Sequence, residues 1–315
     1  MAIKNVTVAG GGVLGSQIAL QSAYCGLNVT VWGRTGASLE RAKVRLERYA
    51  KTYEDVLEAT KADPSVRARG LSDEGAAPEE LDALKAKVAP ALAGIRLTTN
   101  LAEAVADADL VIEAVIESKD QKTDFYNMLA PLLPEKTLVV TNSSYLLPSL
   151  FAEDTGRPEK FMALHFANDI YRGNTAEAMN HPGTSQETYD AVVAFAESIR
   201  MIPICLHKEQ FGYLLNSLLL PWFGAAENLW ADDVADPQTI DKVWCLALDA
   251  PRGPFRILDT VSLPTIYAVL QSNPDAHNPE HVKYRLAQKL KEKIDRGETG
   301  LLAGKGFYDY TDDAE

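Results

Sequence analysis

Residues 6–19 read VTVAGGGVLGSQIA, a short apolar run that passes through glycines into a segment of helical character. The β-branched residues and the glycine stop predict a buried strand over 5–10 and a helix over 15–25. The glycines form G-x-G-x-x-G between the two, the setting in which this pattern holds a dinucleotide pyrophosphate at a helix N-terminus. We therefore predict that a cofactor is bound here, by Gly10, Gly12, Val13, Leu14 and Gly15.

Strand-like runs alternate with helical runs through the first two thirds of the chain. Further strands are predicted at 28–33, 95–99, 109–116, 136–142 and 160–166, with helices at about 37–60, 79–92 and 101–108 and another that ends near 130. This alternation is typical of a parallel sheet covered on both faces. From about residue 207 only helical spacing remains. The predicted fold class is α/β: an N-terminal Rossmann-type doubly wound sheet (1–205) followed by an all-helical C-terminal domain (206–315).

Composition narrows the classes of partner. The 315 residues carry a net charge of −13, which disfavours nucleic acid and anionic membrane surfaces but permits a small anionic ligand held by local basic groups. No apolar run approaches the ~20 residues of a membrane span.

Cys25, Cys205 and Cys245 lack metal-like spacing, so we expect no metal site and three buried thiols in a reducing compartment. The N-terminus leads directly into a strand, so a cytoplasmic protein is expected.

Two polar residues stand out in the apolar runs. His165 lies near the end of a predicted strand in ALHFAND, and Glu177 follows twelve residues later in NTAEAM, a predicted short strand. The carboxyl ends of strands in an α/β sheet are where ligands bind. On spacing alone, a structural or surface histidine remains an open alternative.

Several motifs in a fixed order make the sequence resemble the L-3-hydroxyacyl-CoA dehydrogenase family over nearly its full length. They are GGGVLGSQIA (10–19), ADLVIEAVIES (108–118), TNSSYLLPS (141–149), RPEKFMALHFAN (157–168), TAEAMNHPGTSQET (175–188), GYLLNSLLLP (212–221), APRGPFRILD (250–259) and GKGFYDY (304–310). The resemblance implies a Rossmann domain followed by a helical domain through which the protein forms a homodimer. It also implies NAD(P)-linked interconversion of 3-hydroxyacyl and 3-oxoacyl groups.

The resemblance assigns catalytic roles to four residues. It makes His165 the general acid/base and Glu177 the carboxylate that orients it, and it makes Ser144 and Asn216 hydrogen-bond donors to the reacting oxygen. Two alternatives stay open: Ser144 as a cap of a helix near 148, and Asn216 as a bond between helices.

The same resemblance places Glu113, Lys122 and Asn142 beside the cofactor. Glu113 matches a family acid at the end of the 109–116 strand, Lys122 matches a nearby lysine, and Asn142 lies in the TNSSYLLPS motif. For Glu113 and Lys122 the alternative is a solvated ion pair.

The second strand ends unusually. Family members place an aspartate there for the adenosine ribose hydroxyls, whereas this chain has Gly33 followed by Arg34 and Thr35. A carboxylate repels a 2′-phosphate, and arginine binds phosphate with two parallel hydrogen bonds. We therefore predict that Gly33, Arg34 and Thr35 contact the cofactor and that NADP is preferred, with NAD possible. Arg41 could reach the same phosphate but is more readily read as solvated, and Arg34 as a plain surface arginine is the alternative.

Two further departures bear on the substrate. Asp169 and Phe211 occupy positions where the family commonly has proline, along the predicted path of the acyl and pantetheine groups. The leading hypothesis is a 3-hydroxyacyl-CoA dehydrogenase acting on short acyl chains. A relative, natural or engineered, acting on a hydroxy acid, keto ester or small ketone without CoA is the second, and a non-catalytic crystallin-like protein the third.

Overall fold

The computed structural model describes residues 3–66 and 68–311. The chain divides into two compact units, with the division between Leu214 and Leu215 rather than between residues 205 and 206. The segment 206–214 belongs to the first unit because Leu206 and Tyr213 pack in one apolar cluster with residues of that unit's sheet.

The first unit is built on an eight-stranded sheet in the order β3-β2-β1-β4-β5-β6-β7-β8. The strands are β1 Asn5–Ala9, β2 Asn28–Trp32, β3 Arg96–Thr98, β4 Leu110–Glu113, β5 Leu138–Thr141, β6 Phe161–Phe166, β7 Thr175–Met179 and β8 Ile202–Cys205. Neighbouring strands run parallel except β6 and β7, which are antiparallel. The strand order reverses between β1 and β4, the position at which doubly wound sheets bind ligands. The predicted fold class is confirmed.

Helices cover both faces of this sheet. They are α1 Val13–Tyr24, α2 Gly36–Ala62, α3 Pro78–Ala86, α4 Val88–Gly94, α5 Leu101–Val105, α6 Lys119–Leu129, α7 Ile170–Gly173 and α8 Gln186–Ser198. Successive residues of a strand point to opposite faces, so Val111 and Ile112 of β4 enter two different apolar cores. Both faces are therefore buried, which explains why the strands read as continuous apolar runs rather than alternating ones.

The glycines after β1 each have a geometric reason. Gly10 has φ +117°, and a Cβ there would lie 2.3 Å from the Ala114 carbonyl oxygen. A Cβ on Gly15 would lie 1.9 Å from the Gly10 carbonyl oxygen. A Cβ on Gly12 would meet nothing within 4 Å, and Gly12 caps α1 without a side-chain hydrogen bond. The loop thus combines a tight turn and close packing with an open helix N-terminus.

The second unit is helical. Its helices are α9 Leu215–Ala231, α10 Pro237–Leu248, α11 Pro254–Val261, α12 Leu263–Gln271 and α13 Val282–Asp295. Phe223, Phe255 and Leu290 are among the buried residues of its single large apolar cluster. Buried Asp259 accepts hydrogen bonds from the backbone N–H groups of Phe307 and Tyr308 at 2.8 and 3.0 Å, which fixes the GKGFYDY motif to α11.

The structure bears on two sequence-based expectations, that no segment spans a membrane and that all three cysteines are buried. Within residues 3–66 and 68–311, no helix is both long and apolar enough to cross a membrane. The expectation of three buried thiols is wrong: Cys25 and Cys245 are half-buried, and Cys205 is exposed at the end of β8, the edge strand of the sheet. An edge strand has a neighbour on one side only, so its last side chain remains accessible.

Gly15→Ala is expected to lower the free energy of unfolding by about 1–3 kcal/mol, because the new methyl group overlaps the Gly10 carbonyl oxygen. Alanine otherwise favours a helix, so a loss of stability reports the clash itself. Gly36→Ala is the matched control, since its Cβ would meet nothing within 4 Å. Chemical denaturation of both variants measures the difference, and equal stability of the two would contradict the packing described.

Candidate functional site

The antiparallel register of β6 and β7 places His165 directly opposite Glu177. Nδ1 of His165 lies 2.9 Å from Oε2 of Glu177, and both side chains are about 7% exposed. When Nδ1 carries the hydrogen, it donates to the carboxylate and leaves Nε2 to exchange a proton with a ligand. This is the arrangement of a general base and the group that orients it.

A second layer of contacts surrounds this pair. The Leu214 backbone N–H donates to Oε1 of Glu177 at 2.8 Å. The Tyr213 ring stacks on the His165 imidazole, with centroids 4.6 Å apart and planes inclined by 23°. Burial raises the pKa of Tyr213 well above its ordinary value, and nearby carboxylates, Glu117 first and then Glu177, raise it further. Tyr213 therefore stays a neutral phenol.

The loop after β5 carries the predicted Ser144. Oε1 of Glu117 accepts from the backbone N–H groups of Ser144 and Tyr145 at 3.1 and 3.2 Å and from the Ser143 hydroxyl. Partial burial opposes ionisation of Glu117, but the Ser143 hydroxyl and the Lys122 ammonium together hold its pKa below the ordinary value. Ser143 thus donates its hydroxyl to Glu117, and the same carboxylate holds the Ser144 backbone N–H.

Asn142 links three strand ends. Its side-chain oxygen accepts from the Phe166 N–H at 3.0 Å, and its own N–H donates to the Glu113 carbonyl at 2.8 Å. Asn142 therefore holds the ends of β4, β5 and β6 together, beside the residue that follows His165.

Glu113 and Lys122 form a buried pair rather than a solvated one. The Lys122 ammonium lies 2.6 Å from Oε1 of Glu113, and the exposed fractions of the two side chains are 1% and 0%. Tyr126 and Thr141 donate their hydroxyls to Oε2 of the same carboxylate at 2.9 and 2.7 Å. This network occupies both oxygens of Glu113. The alternative that Glu113 and Lys122 form a solvent-exposed ion pair is therefore wrong.

A cavity of about 770 Å³ opens where the strand order reverses. Its lining combines the glycine loop, the end of β2, the start of α2, the turn after β4 and one side of α6: Gly10, Gly11, Gly12, Trp32, Gly33, Arg34, Ser38, Arg41, Arg45, Ala114, Val115, Ile116, Gln121, Asp124, Phe125, Asn127 and Met128. Three arginines thus face one side of this cavity in a protein of net charge −13.

These arginines are available to a ligand. In the part of the chain that the structure describes, Arg34, Arg41 and Arg45 make no ion pair with a carboxylate within 4.0 Å. Arg45 makes a single hydrogen bond of 3.3 Å, to the Gly11 carbonyl oxygen. Unpaired guanidinium groups lining a cavity favour an anion, phosphate above all.

The predicted Thr35 has a local role. Its hydroxyl accepts from the Ser38 N–H, and the Ser38 hydroxyl accepts from the Thr35 N–H, both at 3.2 Å. This capping box starts α2. Ser38, rather than Thr35, lines the cavity. A Cβ on Gly33 would lie 2.6 Å from a methyl carbon of Leu39, so an acid at this position would have to displace that side chain.

The structure brings some predicted residues together and leaves others apart. Gly10, Gly12, Gly33 and Arg34 line the cavity, whereas Val13, Leu14, Gly15, Thr35, Glu113, Lys122 and Asn142 lie outside its lining. Asn216 is the second residue of α9 and belongs to the second unit.

Sequence reasoning missed Arg45, Glu117 and Tyr213. Arg45 follows Arg41 by four residues on α2, so helical spacing could have placed both on one face. No local pattern marks the contact of Tyr213 with a histidine 48 positions earlier.

The residues present fit a phosphorylated dinucleotide. The open backbone at Gly12 and the uncapped start of α1 suit a pyrophosphate, and the cavity continues from there to the arginines. Within residues 3–66 and 68–311, no cluster of three or more histidine, cysteine, aspartate or glutamate side chains is arranged to hold a metal ion.

Comparisons with known proteins match most of the chain. Residues 5–210 match the NAD-binding domain model of 3-hydroxyacyl-CoA dehydrogenase, and residues 212–310 match the C-terminal domain model. Human mitochondrial hydroxyacyl-coenzyme A dehydrogenase is 30% identical over 98% of this chain and 91% of its own length.

Solved structures agree. A diketoreductase described for substrate-directed dual catalysis of dicarbonyl compounds is 45% identical, with a TM-score of 0.81 over 98% of this chain and 100% of its own. The (S)-3-hydroxybutyryl-CoA dehydrogenase of Ralstonia eutropha is 26% identical, with a TM-score of 0.73 over 98% of this chain and 100% of its own.

Lys122→Met is expected to lower the free energy of unfolding by about 3–5 kcal/mol, because it leaves the buried Glu113 carboxylate without its cation. Lys85→Met is the control, since it breaks only a surface pair with Glu58 and should leave stability nearly unchanged. Urea denaturation of both variants measures the contrast. Equal losses would contradict the network described.

Proposed function

Because the chain belongs to the 3-hydroxyacyl-CoA dehydrogenase family, an oxidoreductase family, we propose that His165 exchanges the proton of the reacting hydroxyl group and that Glu177 positions its ring. The observation that carries this proposal is the 2.9 Å contact between His165 Nδ1 and Glu177 Oε2 near the carboxyl end of β6. A buried carboxylate on one ring nitrogen fixes the tautomer and stabilises the protonated imidazole.

The proposed chemistry has one proton step and one hydride step. In oxidation, Nε2 of His165 removes the hydroxyl proton at C3 of the substrate, and in reduction it returns that proton to the C3 oxygen. A bound nicotinamide cofactor supplies or accepts the hydride. Glu177 carries the compensating negative charge while the imidazole is protonated. Ser144 and Asn216 are proposed to donate hydrogen bonds to the C3 oxygen as its charge changes.

We propose NADP(H) as the preferred cofactor, with NAD(H) accepted less well. Three observations support this preference: Gly33 lacks a side chain that would repel a 2′-phosphate, Arg34 follows it, and Arg41 and Arg45 line the same cavity without ion-pair partners among residues 3–66 and 68–311. The family model describes an NAD-binding domain, so the preference is a property proposed for this chain's own residues.

Two substrate classes are candidates. Membership of the family favours an (S)-3-hydroxyacyl-CoA and its 3-oxo counterpart as substrate and product. The 45% identical diketoreductase, similar over the full length of both chains, favours a dicarbonyl compound or another small ketone without CoA. Exposure of Phe211, which is 62% accessible and whose ring lies tilted against that of Tyr145 with centroids 5.5 Å apart, is compatible with a changed substrate path. The homodimer and the cytoplasmic location remain predictions.

His165→Gln is expected to lower kcat by about 10²–10⁴-fold, because the substrate proton loses its acceptor. Glu177→Gln is expected to lower kcat by about 10²–10⁴-fold, because the amide cannot carry the charge that offsets an imidazolium. Steady-state kinetics with NADPH measure both. His181→Gln is the matched control, as His181 bonds the Pro158 carbonyl instead. Full activity of His165→Gln would overturn the catalytic assignment.

The cofactor preference predicts a ratio of kcat/KM values. We expect NADPH to exceed NADH by at least about tenfold, and Arg34→Ala to cost about 10–100-fold with NADPH while leaving NADH nearly unaffected. Arg48→Ala is the control, since this α2 arginine packs over the Tyr49 ring, outside the cavity. A wild-type preference for NADH would contradict the proposal.

A substrate panel separates the two candidates. Acetoacetyl-CoA, free acetoacetate, ethyl acetoacetate and a 1,3-diketone are compared under identical conditions with NADPH. A higher kcat/KM for acetoacetyl-CoA supports the acyl-CoA substrate, and a higher value for the diketone or keto ester supports the CoA-free one. Activity with none of the four would contradict both.

A further inference from the structure

Residues 212–214, which we call the dyad strap, contact both members of the His165–Glu177 pair at once. The Tyr213 ring stacks on the imidazole at 4.6 Å between centroids, and the Leu214 N–H donates to Glu177 Oε1 at 2.8 Å. All of these residues lie within the first unit. The strap is a short turn, outside any strand or helix.

The backbone of the strap is held in an unusual conformation. Gly212 has φ +76° and Tyr213 has φ +55°, so two consecutive residues occupy the left-handed region, and the second carries a large side chain. Such a residue persists only where its surroundings hold it, and such residues concentrate at functional sites. Tyr213 is completely buried, in a cluster with Ala163, Met179 and Leu206. The strained turn thus brings one aromatic ring face to face with the imidazole.

The stacked ring affects the two charge states of the imidazole differently. The face of an aromatic ring carries negative electrostatic potential and attracts a cation placed over it. A neutral imidazole gains much less from the same contact. Tyr213 keeps its proton because burial and the fields of Glu117 and Glu177 raise its pKa, so the ring presents a neutral phenol in both states.

We propose that Tyr213 is a positioning residue that stabilises the protonated form of His165 through ring stacking, while the Leu214 N–H holds the partner carboxylate. This inference rests on the proposed role of His165. The carboxylates around the stacked pair are Glu177 on β7, Glu113 and Glu117 at and after the end of β4, and Glu209 just before the strap. The Lys122 ammonium pairs with Glu113 and Glu117. None of these groups is itself substituted in the Tyr213 variants, and Tyr213→Phe, which keeps the ring, is the control for their contributions.

The test compares Tyr213→Phe, which keeps the ring, with Tyr213→Leu, which keeps the apolar volume without it. The readouts are the pH profile of kcat with NADPH and acetoacetyl-CoA or the diketone, and a substrate-free NMR titration of the His165 imidazole in the full-length protein. Tyr213→Leu is expected to move both midpoints to lower pH by roughly 0.5 units, because the imidazolium loses the ring face. Tyr213→Phe is expected to keep the wild-type midpoints.

Several outcomes overturn the proposal. A Tyr213→Leu midpoint equal to or above that of the wild type contradicts it, as does a Tyr213→Phe midpoint that moves as far as the leucine variant. Thermal unfolding confirms that each variant is folded, and Tyr213→Met replaces leucine should that variant not fold, since methionine fills irregular space. Failure of the proposed function is distinguishable, because it appears as full activity of His165→Gln whatever the Tyr213 variants do.

Discussion

The antiparallel pairing of β6 with β7 is the contact on which the site depends. All other neighbouring strands of the sheet run parallel, and this one reversal sets His165 opposite Glu177. A shift of one residue in this register would turn one of the two side chains to the other face of the sheet and break the 2.9 Å contact. Asn142 accepts a hydrogen bond from the Phe166 N–H at the end of β6, and the Leu214 N–H donates to the Glu177 carboxylate itself.

The cluster of positive charge at the cavity is a local feature of a protein that is acidic as a whole. The chain has a net charge of −13, yet three arginines that have no ion-pair partner in the described part of the chain line the cavity where the strand order reverses. At the end of β4, the buried Lys122 ammonium pairs with the Glu113 carboxylate. The hydroxyls of Tyr126 and Thr141 donate hydrogen bonds to the same carboxylate. A phosphorylated ligand in this cavity would therefore meet the guanidinium groups of Arg34, just before α2, and of Arg41 and Arg45 on it.

Local sequence patterns predicted the features that depend on neighbouring residues. The glycine loop, the alternation of strands and helices and the helical second unit follow from spacing and turn chemistry within short windows. The partnership of His165 and Glu177 came only from the family resemblance, because the register between the consecutive strands β6 and β7 leaves no local signal in the sequence. Thr35 was predicted as a ligand contact, although its hydroxyl and its position also suit a helix cap. In the structure Thr35 is the N-cap of α2. The contact of Tyr213 with His165 could not be predicted, because it depends on a turn with two positive φ angles.

The most direct test of the central claim is the tautomer of His165. Nitrogen NMR of protein labelled in its five histidines, with His165 assigned by substitution, reads which ring nitrogen carries the hydrogen. The account predicts that the neutral ring of His165 carries its hydrogen on Nδ1, with a downfield proton that disappears in Glu177→Gln. An Nε2–H tautomer, or a His165 signal unaffected by Glu177→Gln, would contradict the pairing from which the catalytic proposal and the role of the strap are derived.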